Sequence, residues 1–92
     1  MSDEYRLVFA HPGVRSVAEC LRPLAGASVL SGPILTLEFR SGSPLEMPDA
    51  NLRPEGEGAY FCIFGGGGRA FLGQILARLL SSYGSVTVDD WE

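Results

Sequence analysis

The chain has 92 residues, of which 46% are apolar and 20% charged, the balance of one folded domain (1–92) and not of a disordered chain. Its net charge of −4 disfavours direct nucleic-acid binding, because an acidic surface repels phosphate backbones. No apolar run reaches the ~18 residues of a membrane span, and Met1-Ser2-Asp3-Glu4 lacks the basic stretch of a secretory signal.

These readings place the protein in the cytoplasm, with both cysteines, Cys20 and Cys62, reduced. Two cysteines and one histidine, His11, are too few for a disulfide framework or a structural zinc site, so no metal or cofactor is expected. The charge is uneven. Residues 1–40 balance to zero, and residues 41–92 carry the whole excess of acid. All seven cations are arginines, which reflects a GC-rich genome more than a mechanism.

Glu4 to Ala10 reads as a strand, with Tyr5, Leu7 and Phe9 alternating against Arg6, Val8 and Ala10. His11-Pro12-Gly13 breaks it, and Pro12 suits the first turn of a helix. Val14, Val17, Ala18, Leu21 and Leu24 then repeat at helical spacing. Arg15, Glu19 and Arg22 lie on the other side, where Glu19 can reach both arginines. Pro23 and Gly26 end that helix.

Ala27 to Leu30 is a short apolar run stopped at Ser31-Gly32-Pro33, and Ile34 to Arg40 is the clearest alternation in the chain. Whether 27–40 is one bent strand or two stays open at this level. Residues 41–58 read as an exposed loop or short hairpin. Pro44 to Met47 could return as a strand, and Pro48 to Gly58 is dense in Pro, Gly, Asp and Asn.

Ala59 to Phe64 is apolar on both faces, as a central strand is. After Gly65-Gly66-Gly67-Gly68, residues Arg69 to Tyr83 form an amphipathic helix, with Gly84 suited to its C-terminal cap. Ser85 to Trp91 closes the chain as a strand with Val86 and Val88 inward.

The order β-α-β-(β)-β-α-β predicts an α+β, ferredoxin-like (split βαβ) two-layer sandwich, an antiparallel sheet with two helices on one face. In that topology 4–10 and 59–64 lie in the middle, and 34–40 and 85–91 at the edges. The opposite sheet face would then present Arg6, Val8, Thr36, Glu38, Arg40 and Trp91 with one apolar phase of 60–64. Such a face packs on a second copy, on a partner, or under the loop 44–58.

Three groups of residues invite chemistry. The glycine run before a helix offers free N–H groups to an anion, with Gly66, Gly67, Gly68 and Arg69 as contacts. It lacks the Lys-Ser/Thr of a phosphate-binding loop and the spacing of a dinucleotide fingerprint. Asp49 and Asn51 alternate as calcium ligands would, but too few oxygens accompany them. Glu46, Asp49, Glu55 and Glu57, with Asp89, Asp90 and Trp91, make an acidic recognition surface with an aromatic anchor.

The segment Phe9-Ala10-His11-Pro12-Gly13-Val14, leading into an apolar helix, is similar to the first strand-to-helix turn of ACT-type ligand-binding domains. In that family a Pro-Gly pair opens the first helix and the turn contacts an amino-acid effector. The resemblance implies a ligand at His11 and Gly13. The loop 41–58 and the glycine run depart from the compact pattern of that family.

The expected function is therefore a non-enzymatic, inhibitor-type acidic domain that docks a basic protein, or itself as a homodimer through the open sheet face. The alternative is a small-molecule or anion-binding regulatory module using His11–Gly13 and Gly65–Arg69. No residue is assigned a catalytic role, because the chain holds no Gly-x-Ser-x-Gly elbow and no second histidine to activate a thiol.

Overall fold

The computed structural model describes residues 3–42 and 47–90. Their elements are β1 (Asp3–Val8), α1 (Val14–Leu21), β2 (Ala27–Leu30), β3 (Thr36–Phe39), β4 (Ala50–Glu55), β5 (Gly58–Ile63), α2 (Gly68–Tyr83) and β6 (Thr87–Asp90). The protein is α+β. Its six strands form one antiparallel sheet in the order β2-β3-β4-β5-β1-β6.

The register assigns the two faces. Leu7 lies opposite Ala59, Phe61 opposite both Tyr5 and Leu52, and Leu37 opposite both Leu52 and Val29. Side chains directly opposite in an antiparallel pair share a face. These strand residues meet Val17 and Leu21 of α1 and Phe71, Ile75 and Leu79 of α2 in one buried cluster. Both helices therefore cover the same side of the sheet, as a two-layer sandwich requires. Phe39 sits at its centre, edge-on to Phe61 at 6.4 Å and tilted against Phe71 at 5.4 Å.

The expected interior strands are interior. β1 lies between β5 and β6, and β5 between β4 and β1. The ferredoxin-like strand order is not the one adopted. Residues 34–40 were expected at an edge, but β3 lies between β2 and β4, and β4 occupies the place beside β5. The region 27–40 is two strands, paired from Ala27↔Phe39 to Leu30↔Thr36 across a five-residue turn.

Residues 48–58 are not an exposed loop, because β4 runs through them with Ala50, Leu52 and Pro54 buried and Asn51, Arg53 and Glu55 half-buried on the other face. Turn-forming residues concealed this alternation. Pro54 can sit in an interior strand because it lies past the last register pair with β3, so its missing N–H falls where only β5 flanks β4. Gly58 closes the two-residue β4–β5 turn at φ 148°, and a Cβ there would lie 1.8 Å from the Leu7 carbonyl oxygen. The possible returning strand at 44–47 falls largely outside the described residues.

The pattern predicted for the second helix matches α2 to within one residue. Val14 was assigned to the core side of the first helix, yet it is 37% exposed at the first residue of α1. The expected ion pairs from Glu19 to Arg15 and Arg22 are not made among the described residues. No helix among the described residues is long and apolar enough to cross a membrane.

Candidate functional site

The glycine run is built around a carboxylate from the same chain. Asp49 precedes β4 and is anchored by its backbone, donating to the Phe39 carbonyl at 2.9 Å and accepting from Phe64 and Gly65 N–H at 2.8 and 3.0 Å. Its carboxylate accepts from the Ser41 hydroxyl at 2.5 Å and the Ser41 N–H at 2.8 Å, and also from the Gly67 N–H. The Ser41 hydroxyl and then the Ser41 N–H hold the Asp49 carboxyl below the usual aspartate range; burial opposes them, and the Gly67 N–H adds a still smaller lowering.

Close approach explains the glycines at three of the four positions. A Cβ would meet Asp49 Oδ1 at 2.8 Å from Gly65, Ser41 Oγ at 3.0 Å from Gly67, and Ile63 Cγ2 at 2.3 Å from Gly68. A Cβ on Gly66 would meet nothing within 4 Å. Arg69, in the first turn of α2, reaches Asp3 at 3.9 Å in an exposed pair.

His11 stands elsewhere. Its Nε2–H donates to the Glu55 carbonyl at 2.5 Å, while its Nδ1 is buried with no partner among the described residues. The ring lies 5.3 Å from Phe9 and 6.3 Å from Tyr83, whose hydroxyl hydrogen-bonds Ser16 at 2.6 Å. This cluster ties the β1–α1 turn to the end of β4 and the end of α2. Gly13, the N-cap of α1, accepts the Ser16 N–H at 3.1 Å.

The two halves of the alternative ligand site are thus apart. His11 follows the Val8 end of β1, the glycines follow the Ile63 end of β5, and the register pairs Val8 with Gly58 and Asp3 with Ile63. A strand length of about 17 Å separates the ends. Each set would need its own ligand, and the Gly67 N–H already donates to Asp49.

The sheet face away from the helices carries a chequered charge pattern. One row across it reads Arg53, Tyr60, Arg6, Asp89, and the next reads Glu38, Asn51, Cys62, Glu4. The expected apolar stripe is therefore the phase Tyr60, Cys62 and Phe64. It is overlaid by polar contacts. The Arg53 guanidinium lies 5.3 Å from the Tyr60 ring centre and pairs with Glu55 at 3.3 Å. The Tyr60 hydroxyl donates to Glu4, Arg6 pairs with Glu57 at 3.5 Å, and Arg40 with Glu38 at 2.9 Å. Cys62 is buried and unoxidised within this face.

The structure divides the predicted acidic surface. Glu55, Glu57 and Asp89 gather around Arg6 on the open face. Asp90 lies opposite Tyr5, on the helix side of the same edge strand. Asp49 is turned into the glycine loop at the far end. Glu46 and Trp91 lie outside the described residues. Glu4, Arg53 and Tyr60 were not singled out from the sequence. The signal for them was the outward phase of β1, β4 and β5, which for Arg53 is legible only once β4 is recognised as a strand.

Among the described residues no three of His, Cys, Asp and Glu are placed to hold a metal ion. No protein-family model matches this chain, nor does any curated protein or solved structure.

Proposed function

We propose that the protein is a non-enzymatic binding domain that docks a basic protein partner on the helix-free face of its sheet. The observation that supports this reading is the surplus of acid on that face. Glu4, Glu38, Glu55 and Asp89, with Glu57 at the rim, outnumber Arg6, Arg40 and Arg53. Val8 and Phe64 are each about two-fifths exposed beside them and supply apolar contact. Complementary charge would steer a basic partner and set its register, and the apolar residues would supply desolvation.

The test is capture from native lysate with the wild-type chain and with the triple variant Glu55→Lys, Glu57→Lys, Asp89→Lys. A basic protein held by the wild type and released by the variant is the expected result. Retention of nothing basic, or equal retention by both, overturns the proposal. Light scattering distinguishes the version in which the occupant is a second copy, since a strict monomer at all concentrations removes it.

A further inference from the structure

The two edges of the sheet are unlike. β6 carries Asp89 and Asp90, acids of the kind that keep other strands from pairing with a free edge. β2 is Ala27-Ser28-Val29-Leu30, with no charge at all, and among the described residues no strand flanks its outer side, where the Ala27 N–H donates to the Leu24 carbonyl at 3.1 Å and the Val29 backbone carries no such bond. Beside it on the helix side lies a groove of about 420 Å³, walled by Val14 and Ala18 of α1 and by Val29 and Leu35 of the β2–β3 hairpin. Arg15 and Arg22 stand on its rim with Glu19 between them, and none of the three has an ion-pair partner among the described residues. This rim is net positive on a chain of net charge −4.

We infer that β2 and this groove bind an extended, acidic segment of a partner protein as an added strand. Backbone pairing to β2 supplies attachment. Alternate apolar side chains of the segment enter the groove, and its acids meet Arg15 and Arg22. A second copy fits this edge less well. Symmetric pairing of β2 with itself would bring two α1 helices together, setting four arginines against two glutamates. The surface is distinct from the acidic face assigned above, so either assignment can fail without the other.

The probe is a fluorescein-labelled peptide of about eight residues alternating valine and aspartate. Its controls are the valine–lysine counterpart and the same acidic peptide N-methylated at alternate amides. The acidic peptide is expected to bind at least about tenfold more tightly than either control, and to weaken with salt. Arg15→Glu with Arg22→Glu, both exposed and checked for folding by circular dichroism, should weaken it at least about tenfold, while Glu19→Gln strengthens it. Amide shifts should fall on 27–30. Equal binding of either control, shifts centred on β6 or the open face, or a dimer dispersed by Val29→Lys would overturn the inference.

Discussion

The β1–β5–α2 half of the molecule and the outer β2–β3 hairpin are built from similar apolar residues and treat them differently. In the first, Leu7, Phe61, Ile75 and Leu79 are entirely buried, because α2 lies across the strands that precede it in the chain. In the hairpin, Leu37 and Phe39 are buried, yet Leu30 is 44% and Ile34 58% exposed. Leu30 lies opposite Thr36 on the helix-free face and Ile34 in the turn, so neither is under a helix, whereas Phe39 packs against Phe71 of α2. The difference shows that burial follows the face a residue takes and the helix above it, and that apolar residues on the helix-free face and in the turn remain available to a partner.

The largest expected effect contrasts these regions directly. Phe61→Ala should lower unfolding free energy by about 3–5 kcal/mol in urea denaturation, whereas Ile34→Ser in the hairpin turn should change it by less than about 0.5 kcal/mol. Equal effects would mean the hairpin belongs to the core. Gly68→Ala comes next, with a cost of about 1–3 kcal/mol, since its Cβ would sit 2.3 Å from Ile63 Cγ2. Gly66→Ala, which meets nothing within 4 Å, is the internal control and should be close to neutral.

His11→Ala should cost about 1–2 kcal/mol by removing the hydrogen bond to the Glu55 carbonyl. Its melting temperature should fall without loss of the α2 signal in circular dichroism.

The smallest effect belongs to Asp49→Asn, because solvent screens this carboxylate. Its folded-state pKa is depressed, so its stabilising contribution is present above the unfolded aspartate value of about 4 and is lost as pH falls through the lower folded value. Wild type and Asp49→Asn should therefore differ in melting temperature at pH 7 and converge in the acid range. A constant difference at all pH values would show that the Ser41 and Gly67 hydrogen bonds do not favour the ionised form.

Much of the fold was legible from local pattern. The alternation of Tyr5, Leu7 and Phe9, the two-sided apolar run at 59–64 and the helical spacing of Phe71, Ile75 and Leu79 each identify their element, because burial on one face imposes a period on the residues themselves. β4 was missed because Pro48, Pro54, Gly56 and Gly58 outweighed the period of Ala50, Leu52 and Pro54. The proline belongs there only because β3 stops short of it, a fact about a neighbour and not about the segment. The candidate site was less legible. The glycine run was expected to offer its N–H groups to an external anion, whereas the carboxylate packed against it is that of Asp49, sixteen residues or more upstream.

By itself the amino-acid order determined the α+β class, the inner position of β1 and β5, and which residues of each recognised strand point the same way. All of these follow from side-chain periodicity and from turns closed within a few residues. Only the tertiary structure decided that β4 sits beside β5, that β2 is left as an uncharged edge, and that His11 and the glycines stand at opposite ends of the sheet. Those outcomes depend on which strands become neighbours, and pairing energy between distant segments is set by complementary faces and shared cover, which no single stretch of sequence contains.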